Sequence, residues 1–336
     1  MRELLERICG GEHLTREQSA AVFGSLVAGR LAPVEISALL IGLRTKGEQP
    51  GEIAGAAQAL LASAAPFPSP TYPLADTCGT GGDGARTINV STAAAFVAAE
   101  LGVPVAKHGN RSISSRCGSA DVLERLGVDI EAPPETARLC LDAAGVCFLY
   151  APSYHAGLRH AMPVRQALAV RTLMNLVGPL VNPARPAYQV MGVYDPKLTV
   201  PMAFALGFVG RRAALVVHGS GLDEIAVHGP TCAALYRNGA VLEIDIAPEQ
   251  VGLSRFPVEA LRGGDPKENA NALVALLGGH GPAAHEAVVA MNAGALVWIA
   301  GAAADLRGGV EAALAAIRSG RCLDRLRRMA EVSRGA

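Results

Sequence analysis

The sequence carries no surplus of either charge: Lys+Arg and Asp+Glu both number 30 in 336 residues. A general binder of duplex nucleic acid needs a basic excess, because its cations replace the counterions along the phosphates. The whole-chain balance shows no such excess. Charged residues are only 18% of the chain and hydrophobic residues 50%, so intrinsic disorder is excluded and core material is ample. Long apolar runs are also lacking. Ala93 to Ala99 ends at Glu100, far short of the roughly 18 residues of a membrane span. Cys9, Cys78, Cys117, Cys140, Cys147, Cys232 and Cys322 form no CxxC pair and are odd in number. Thiolate-metal and disulfide frameworks are poorly supported, which suits a reducing cytoplasm. The first turns mix Arg2, Glu3, Glu6 and Arg7, unlike a secretory leader. No internal repeat is found.

What is present falls into two parts. The first 65 residues read as helices: Leu4, Leu5 and Ile8 share one face, and Thr15-Arg-Glu-Gln18 is a capping box that opens a second helix. Gly29 is placed to stop that helix, Pro33 suits the first turn of a third, and Gly51-Glu52-Ile53 precedes a fourth. APFPSPTYP then places the domain boundary, giving a helical domain over 1–70 and a larger domain over 71–336. Beyond it, short apolar runs (Val103–Ala106, Val146–Tyr150, Gln189–Tyr194, Ala213–His218) alternate with helix-length stretches (Thr92–Leu101, Ala120–Leu126, Pro201–Val209). Such alternation predicts an α/β domain with a mostly parallel central sheet, ending in alanine-rich C-terminal helices. The basic residues from Arg318 to Arg334 read as a solvated helix face.

The densest chemistry is DTCGTGGDGARTINVSTAAAF from Asp76. Gly79, Gly81 and Gly84 satisfy GxGxxG, but the dinucleotide fingerprint needs a helix opening at the loop and an acid closing the next strand. Arg86 to Asn89 intervenes, the helix is expected to be capped by Ser91 or Thr92, and the next strand leads into basic Lys107-His108. A phosphate cradle of another kind remains, in which glycine amides approach an anion and the helix N-terminus takes a second phosphate. A glycine-rich turn before an ordinary capped helix would read the same. A second polar loop, Lys107-His-Gly-Asn-Arg-Ser-Ile-Ser-Ser115, follows the next strand. Loops after parallel strands gather at one sheet edge, so the two face a common crevice, although a merely solvated loop fits that stretch too. Asp223-Glu224, after a further strand, is repulsive beside phosphates unless a cation such as magnesium mediates. Alone it is a wet turn.

Together these stretches resemble the anthranilate phosphoribosyltransferase family of tryptophan biosynthesis. GTGGDG (79–84), NVST (89–92), KHGNRSISS (107–115), GSADVLERLG (118–127), APSYH (151–155), PVR (163–165), RTLMNLVGPLVNP (171–183) and GLDEI (221–225) are similar to its motifs, in order. The resemblance implies a helical domain joined by helices near 164–186, an α/β domain, a homodimer through the helical domain, and two Mg²⁺ ions. It implies transfer of the phosphoribosyl group of phosphoribosyl pyrophosphate (PRPP) to the anthranilate amine. By resemblance Gly79, Gly82, Asp83, Thr87, Asn89, Val90, Ser91, Thr92, Lys107 and Ser119 contact the donor. So does the run His108, Gly109, Asn110, Arg111, Ser112, Ile113, Ser114 and Ser115. Ser91, Asp223 and Glu224 resemble metal ligands; Gly79, Asn110, His155 and Arg165 resemble anthranilate contacts; Lys107, Arg165 and His108 resemble the catalytic groups. His108 and His155 also read as loop histidines that only pack. Ala169 departs from the family by replacing a common glycine. A pyrimidine-nucleoside phosphorylase lacks the GLDEI pair, and a non-catalytic nucleic-acid-binding relative would show a basic excess; this chain fits neither.

Overall fold

A computed structural model describes residues 1–112 and 116–335. Four helices come first: Arg2–Cys9, Arg16–Val27, Pro33–Lys46 and Pro50–Ser63. The Thr15 hydroxyl accepts from the Gln18 amide at 3.2 Å and the Gln18 side chain accepts from the Thr15 amide at 3.0 Å, which closes the expected box. Gly29 ends that turn at φ +68°. Gly51 to Ile53 lie inside the fourth helix rather than ahead of it, because Pro50 takes its first position.

The sheet has seven strands: β1 (Ala75–Gly79), β2 (Val105–Gly109), β3 (Val146–Tyr150), β4 (Tyr188–Gly192), β5 (Ala213–His218), β6 (Thr231–Arg237) and β7 (Ala240–Ile246). Their order is β3-β2-β1-β4-β5-β6-β7, parallel through β5 and antiparallel beyond. The chain therefore runs outward from β1 to β3 on one side and from β4 to β7 on the other. The reversal leaves a crevice at the carboxyl ends of β1 and β4, where ligands bind in such sheets.

The strands Val146–Tyr150 and Ala213–His218 fall where expected, and the others differ. β2 starts two residues late and runs on through Lys107 and His108, pairing Lys107 with Phe148 and Gly109 with Tyr150. Polar residues stay in this strand because their side chains find partners across the sheet. The β6–β7 hairpin turns at Asn238-Gly239, both at positive φ, the Asn-Gly signal of a two-residue turn. Helix Val90–Glu100 begins at Val90 with Asn89 at its cap position, ahead of the expected Ser91 or Thr92.

Two cores flank the sheet. On one face, helices Val90–Glu100 and Ala283–Ile299 pack alanine- and valine-rich surfaces against β1 to β5. Their small side chains let backbone approach closely, so both helices are buried nearly all round. On the other face, Met191, Val216, Met202 and Leu206 join Phe23, Leu39, Leu43 and Ile53 of the helical domain in one continuous cluster. Val164, Leu173, Leu176 and Leu180, from the segment after β3, close it. Beneath the crevice, buried polar side chains replace apolar packing. Asn182 donates to Asp76 (2.9 Å) and to the Ala106 carbonyl (2.7 Å), and Arg211 donates to Gln189 (2.7 Å).

Ala169 caps helix Met162–Leu168 in the left-handed region, at φ 51° and ψ 23°. A Cβ there costs about 1–2 kcal/mol, partly offset by the greater unfolded-state freedom of glycine, about 0.4–1 kcal/mol. Ala169→Gly is therefore expected to stabilise the protein by about 1 kcal/mol, read as a higher urea midpoint at unchanged m-value. An unchanged or lower midpoint would contradict the strain.

Candidate functional site

The crevice is shaped by a close approach. A Cβ on Gly192, at the end of β4, would lie 1.6 Å from the Asp223 carbonyl oxygen. One on Gly79, at the end of β1, would lie 2.2 Å from its carboxylate. Only hydrogen atoms fit there, so the GLDEI segment folds down over both strand ends. Asn292 holds it from below. Its amide accepts from the Ile225 N–H (3.0 Å) and donates to the Ile225 carbonyl (3.1 Å), fully buried in helix Ala283–Ile299. Sequence reasoning missed Asn292; its signal was one amide inside an otherwise apolar run, AVVAMNAGALVWI.

The acids are poorly compensated. Asp223 accepts from the Gly81 amide at 2.6 Å, and its own amide lies 3.4 Å from the Asp83 carboxylate. Burial and the neighbouring Asp83 push the Asp223 carboxyl up to about 7. Burial and Asp223 push Glu224 well above the ordinary range, opposed by Lys107 and the Ser91 backbone N–H. Two carboxylates beside a serine hydroxyl form an all-oxygen donor set, which suits a hard cation. Among the described residues no three His, Cys, Asp or Glu side chains form a metal cage, so such a cation would complete its shell with ligand or water oxygens. The residues present fit magnesium on that chemistry.

Lys107 is the cation facing these acids. It is 3% exposed, and its ammonium donates to the Thr77 carbonyl (2.7 Å) and to Ser91 Oγ (3.1 Å). Ser91 and Thr92 occupy the first turn of helix Val90–Glu100, and the buried Thr92 hydroxyl has no partner among the described residues. The glycine loop precedes this helix in the chain and leans on Asp223 through the Gly81 amide, with Gly81, Gly82 and Gly84 at positive φ. Lys107, Ser91, Asp223, Glu224, Gly79 and Asp83 thus meet at one place. Other expected donor contacts are engaged elsewhere or stand apart. Asn89 bridges the Cys117 carbonyl and Asn269 (2.8 Å), and Thr87 pairs with Arg262. Arg111 spends its guanidinium on Asp121 and Glu124, at 3.1 and 2.8 Å. Ser112 donates its amide to Asp121, while Ser119 Oγ and the Ala120 amide both turn to the Asn110 carbonyl. Val90 is buried as the first residue of its helix, and Gly109 ends β2. Ile113, Ser114 and Ser115 lie outside the described residues.

His108 and His155 meet edge to face, with ring centroids 5.3 Å apart. Burial and His155 bring the His108 imidazole down to about 3, and burial lowers His155 as well, so both are neutral near pH 7. His155 Nε2 meets the Val181 carbonyl at 2.8 Å, while its Nδ1 and His108 Nε2 lack partners among the described residues. Arg165 is half-buried, and burial lowers its pKa. Among the described residues it has no carboxylate partner, and its guanidinium donates to Met162 Sδ at 3.8 Å. A partly desolvated guanidinium without an anion is a receptor for one.

A raised carboxyl means that the folded state binds the proton more tightly than the unfolded chain, whose Asp is near 3.8. Without divalent cations the Asp223 contribution should therefore weaken stability as pH rises from about 4 to about 7, then level off. Asp223→Asn should melt above the unsubstituted protein at pH 8 in a chelator, with the gap closing toward pH 4. A gap that grows on acidification would reverse the assigned sign.

Comparison with known proteins places these features. Residues 2–64 match the helical bundle domain of a glycosyl transferase family, and residues 71–323 match its a/b domain. Anthranilate phosphoribosyltransferase of Sorangium cellulosum (strain So ce56) is 57% identical over 334 residues, 99% of this chain and 96% of the relative. The crystal structure of anthranilate phosphoribosyltransferase from Thermus thermophilus superposes with a TM-score of 0.94 at 44% identity, over 98% of this chain and 99% of that one. That of Saccharomyces cerevisiae, in complex with PRPP and Mg, gives a TM-score of 0.84 at 27% identity, over 96% and 93%. No helix among the described residues is long and apolar enough to cross a membrane.

Proposed function

The chain belongs to the anthranilate phosphoribosyltransferase family, and we propose that it transfers the phosphoribosyl group of PRPP to the amine of anthranilate, releasing pyrophosphate, in the tryptophan pathway of the cytoplasm. The observation that carries this reading is the convergence of Lys107, the first turn of helix Val90–Glu100, the glycine loop and the Asp223-Glu224 pair on one crevice. Breaking the C1–O bond leaves positive charge on the ribose and negative charge on pyrophosphate, so the task is stabilising a leaving anion. Two magnesium ions, held by Ser91, Asp223 and Glu224, would neutralise it when bound. The loop amides donate to its oxygens, and Lys107 supplies a fixed cation that needs no reorganisation.

On the acceptor side, Arg165 takes the anthranilate carboxylate. Asn110, Gly79 and His155 line the same approach in the proposed arrangement. An arylamine is neutral at pH 7 and already nucleophilic, so no strong base is required. The unpartnered nitrogens of His108 and His155 are neutral acceptors suited to amine hydrogens. Catalysis is then mainly positioning and electrostatics.

The test is loss of anthranilate fluorescence with purified protein, PRPP and Mg²⁺. Loss that needs all three supports the transferase; donor binding without loss would mean a different acceptor, and no donor binding would overturn the reading. Arg165→Ala should raise the anthranilate KM about 100-fold with the PRPP KM within about threefold, because a buried charge pair loses one partner. Equal effects on both would remove its role.

We also propose a homodimer through the helical domain. An apolar groove of about 570 Å³, lined by Ala20, Gly24, Val27, Ala59 and Ala62, runs between helices Arg16–Val27 and Pro50–Ser63, and Val34 of the same domain is 73% exposed. Sedimentation should give twice the 34.5 kDa chain mass, and a monomer at micromolar concentration would rule the dimer out.

A further inference from the structure

Arg171 opens the RTLMNLVGPLVNP segment between helices Met162–Leu168 and Leu173–Val177, and it has no part in the donor or acceptor contacts proposed so far. Three contacts converge on this one residue. Its guanidinium donates to the Gly82 carbonyl in the glycine loop. The same group stacks on the Tyr194 ring, its carbon 4.0 Å from the ring centroid. Its backbone carbonyl accepts from the guanidinium of Arg44, on helix Pro33–Lys46 of the helical domain. Tyr194 is itself tied to the loop, since its amide donates to Thr80 Oγ1 at 3.2 Å. The segment's backbone is fixed next door, where the Asn175 side chain accepts from the Thr172 amide at 3.0 Å.

We propose that Arg171 is a positioning residue that sets the conformation of the glycine loop and makes it answer to the helical domain through Arg44. The physical need is clear. Gly81, Gly82, Gly84 and Arg86 all have positive φ, and an unanchored glycine loop gives up about 1–2 kcal/mol per residue on ordering. The Thr80 amide donates to the Gly192 carbonyl and the Arg86 carbonyl accepts from the Gly263 amide, so both ends are fixed. Between them Gly81 leans on Asp223, Asp83 turns back on Ala85, and Arg171 is the cation that bonds the loop among the described residues. A guanidinium flattened on an aromatic ring has lost most of its rotamer freedom already, so it holds a carbonyl at little further entropic cost. Neither Arg171 nor Arg44 forms an ion pair among the described residues, so neither guanidinium is drawn away from its carbonyl by a carboxylate. The link also spans the chain: Arg44 and Arg171 bring residues 127 apart into contact, joining helix Pro33–Lys46 to the segment that packs on the helical domain and reaches the glycine loop.

This inference rests on reading the glycine loop as the PRPP phosphate site. The experiment is calorimetric titration of PRPP with Mg²⁺ into the whole protein, without acceptor. Arg171→Ala should weaken donor binding about 10-fold, the loss of one charge-assisted hydrogen bond, with anthranilate KM unchanged at saturating donor. Arg171→Lys, which keeps a cation and a donor over Tyr194, should recover most of that loss. Arg44→Ala, on the surface of helix Pro33–Lys46, should weaken donor binding about threefold in the unsubstituted background and have no further effect beside Arg171→Ala. Unchanged donor affinity in Arg171→Ala would overturn the proposal. So would full additivity with Arg44→Ala, which would mean that Arg171 touches the donor independently of the helical domain. Should Arg171→Ala fail to fold, the Arg44→Ala and Arg171→Lys titrations decide alone, because a silent Arg44→Ala contradicts the coupling. A starting protein that binds no PRPP would fail the phosphate-site reading instead.

Discussion

The approach of Asp223 to the ends of β1 and β4 is the constraint on which the rest of the site depends. Gly79 and Gly192 leave room for a backbone and a carboxylate where any Cβ would collide. Because those strands flank the reversal of strand order, the acids arrive at the one point where loops from both halves of the sheet meet. Asn292 then removes the remaining freedom by pairing both backbone groups of Ile225 deep in the fold. A buried amide paired on both its oxygen and its nitrogen specifies one arrangement, whereas an apolar residue there would leave two backbone groups unpaired.

Below the acids, polar side chains do what hydrophobic packing cannot. Lys107 emerges from a strand with its stem inside the sheet and its ammonium on Thr77 and Ser91. Asp76 nearby is fully buried and accepts from Asn182 at 2.9 Å; burial pushes its carboxyl above the ordinary range, with Lys107 and Asn182 opposing. Burying an ammonium costs desolvation that two neutral hydrogen bonds offset only in part, so stability does not explain it. A fixed cation at the mouth of the crevice does. The helical domain contributes to the same end from the opposite core, since the cluster holding Phe23 and Leu43 runs without a break into the residues under β4 and β5.

The sequence was legible where a local rule and the tertiary environment agree. The capping box at Thr15 and the buried runs Val146–Tyr150 and Ala213–His218 follow from residue chemistry at short range. The clustering of GTGGDG, Lys107 and GLDEI is expected from the shared edge of parallel strands and from the family resemblance. Local rules failed where distant partners decide. Lys107 and His108 look like loop residues because they are polar, yet they extend β2, since Thr77, Ser91 and His155 supply partners that no window of the sequence contains. Arg111 looks like a free cation beside a phosphate loop, but Asp121 and Glu124, three residues apart on the next helix, claim it. Asn89 takes the cap position in place of Ser91, which leaves the serine hydroxyl for Lys107. The β6–β7 hairpin is hidden for another reason. β7 is mostly exposed, so it lacks the buried apolar run that marks the inner strands, and Asn238-Gly239 alone points to it.

The balance of charge in the crevice also orders events. Asp76, Asp83, Asp223 and Glu224 gather around Lys107, and Arg211, equally buried, lies near Asp76. Two unit charges about 4 Å apart interact by roughly 4 kcal/mol at an effective dielectric of 20, whereas a helix N-terminus contributes only about 0.3–1 kcal/mol to binding an anion. Once ionised, these acids therefore oppose a bare polyphosphate by more than a helix end contributes. Raised carboxyl pKa values express the same excess of negative charge from the protein's side. In the proposed function this charge balance disfavours the donor alone and favours it together with divalent cations, so metal and donor binding would be coupled by the charge count itself. In the proposed function orientation then falls to the parts that carry no net charge: the glycine amides and the hydroxyls of Ser91 and Thr92.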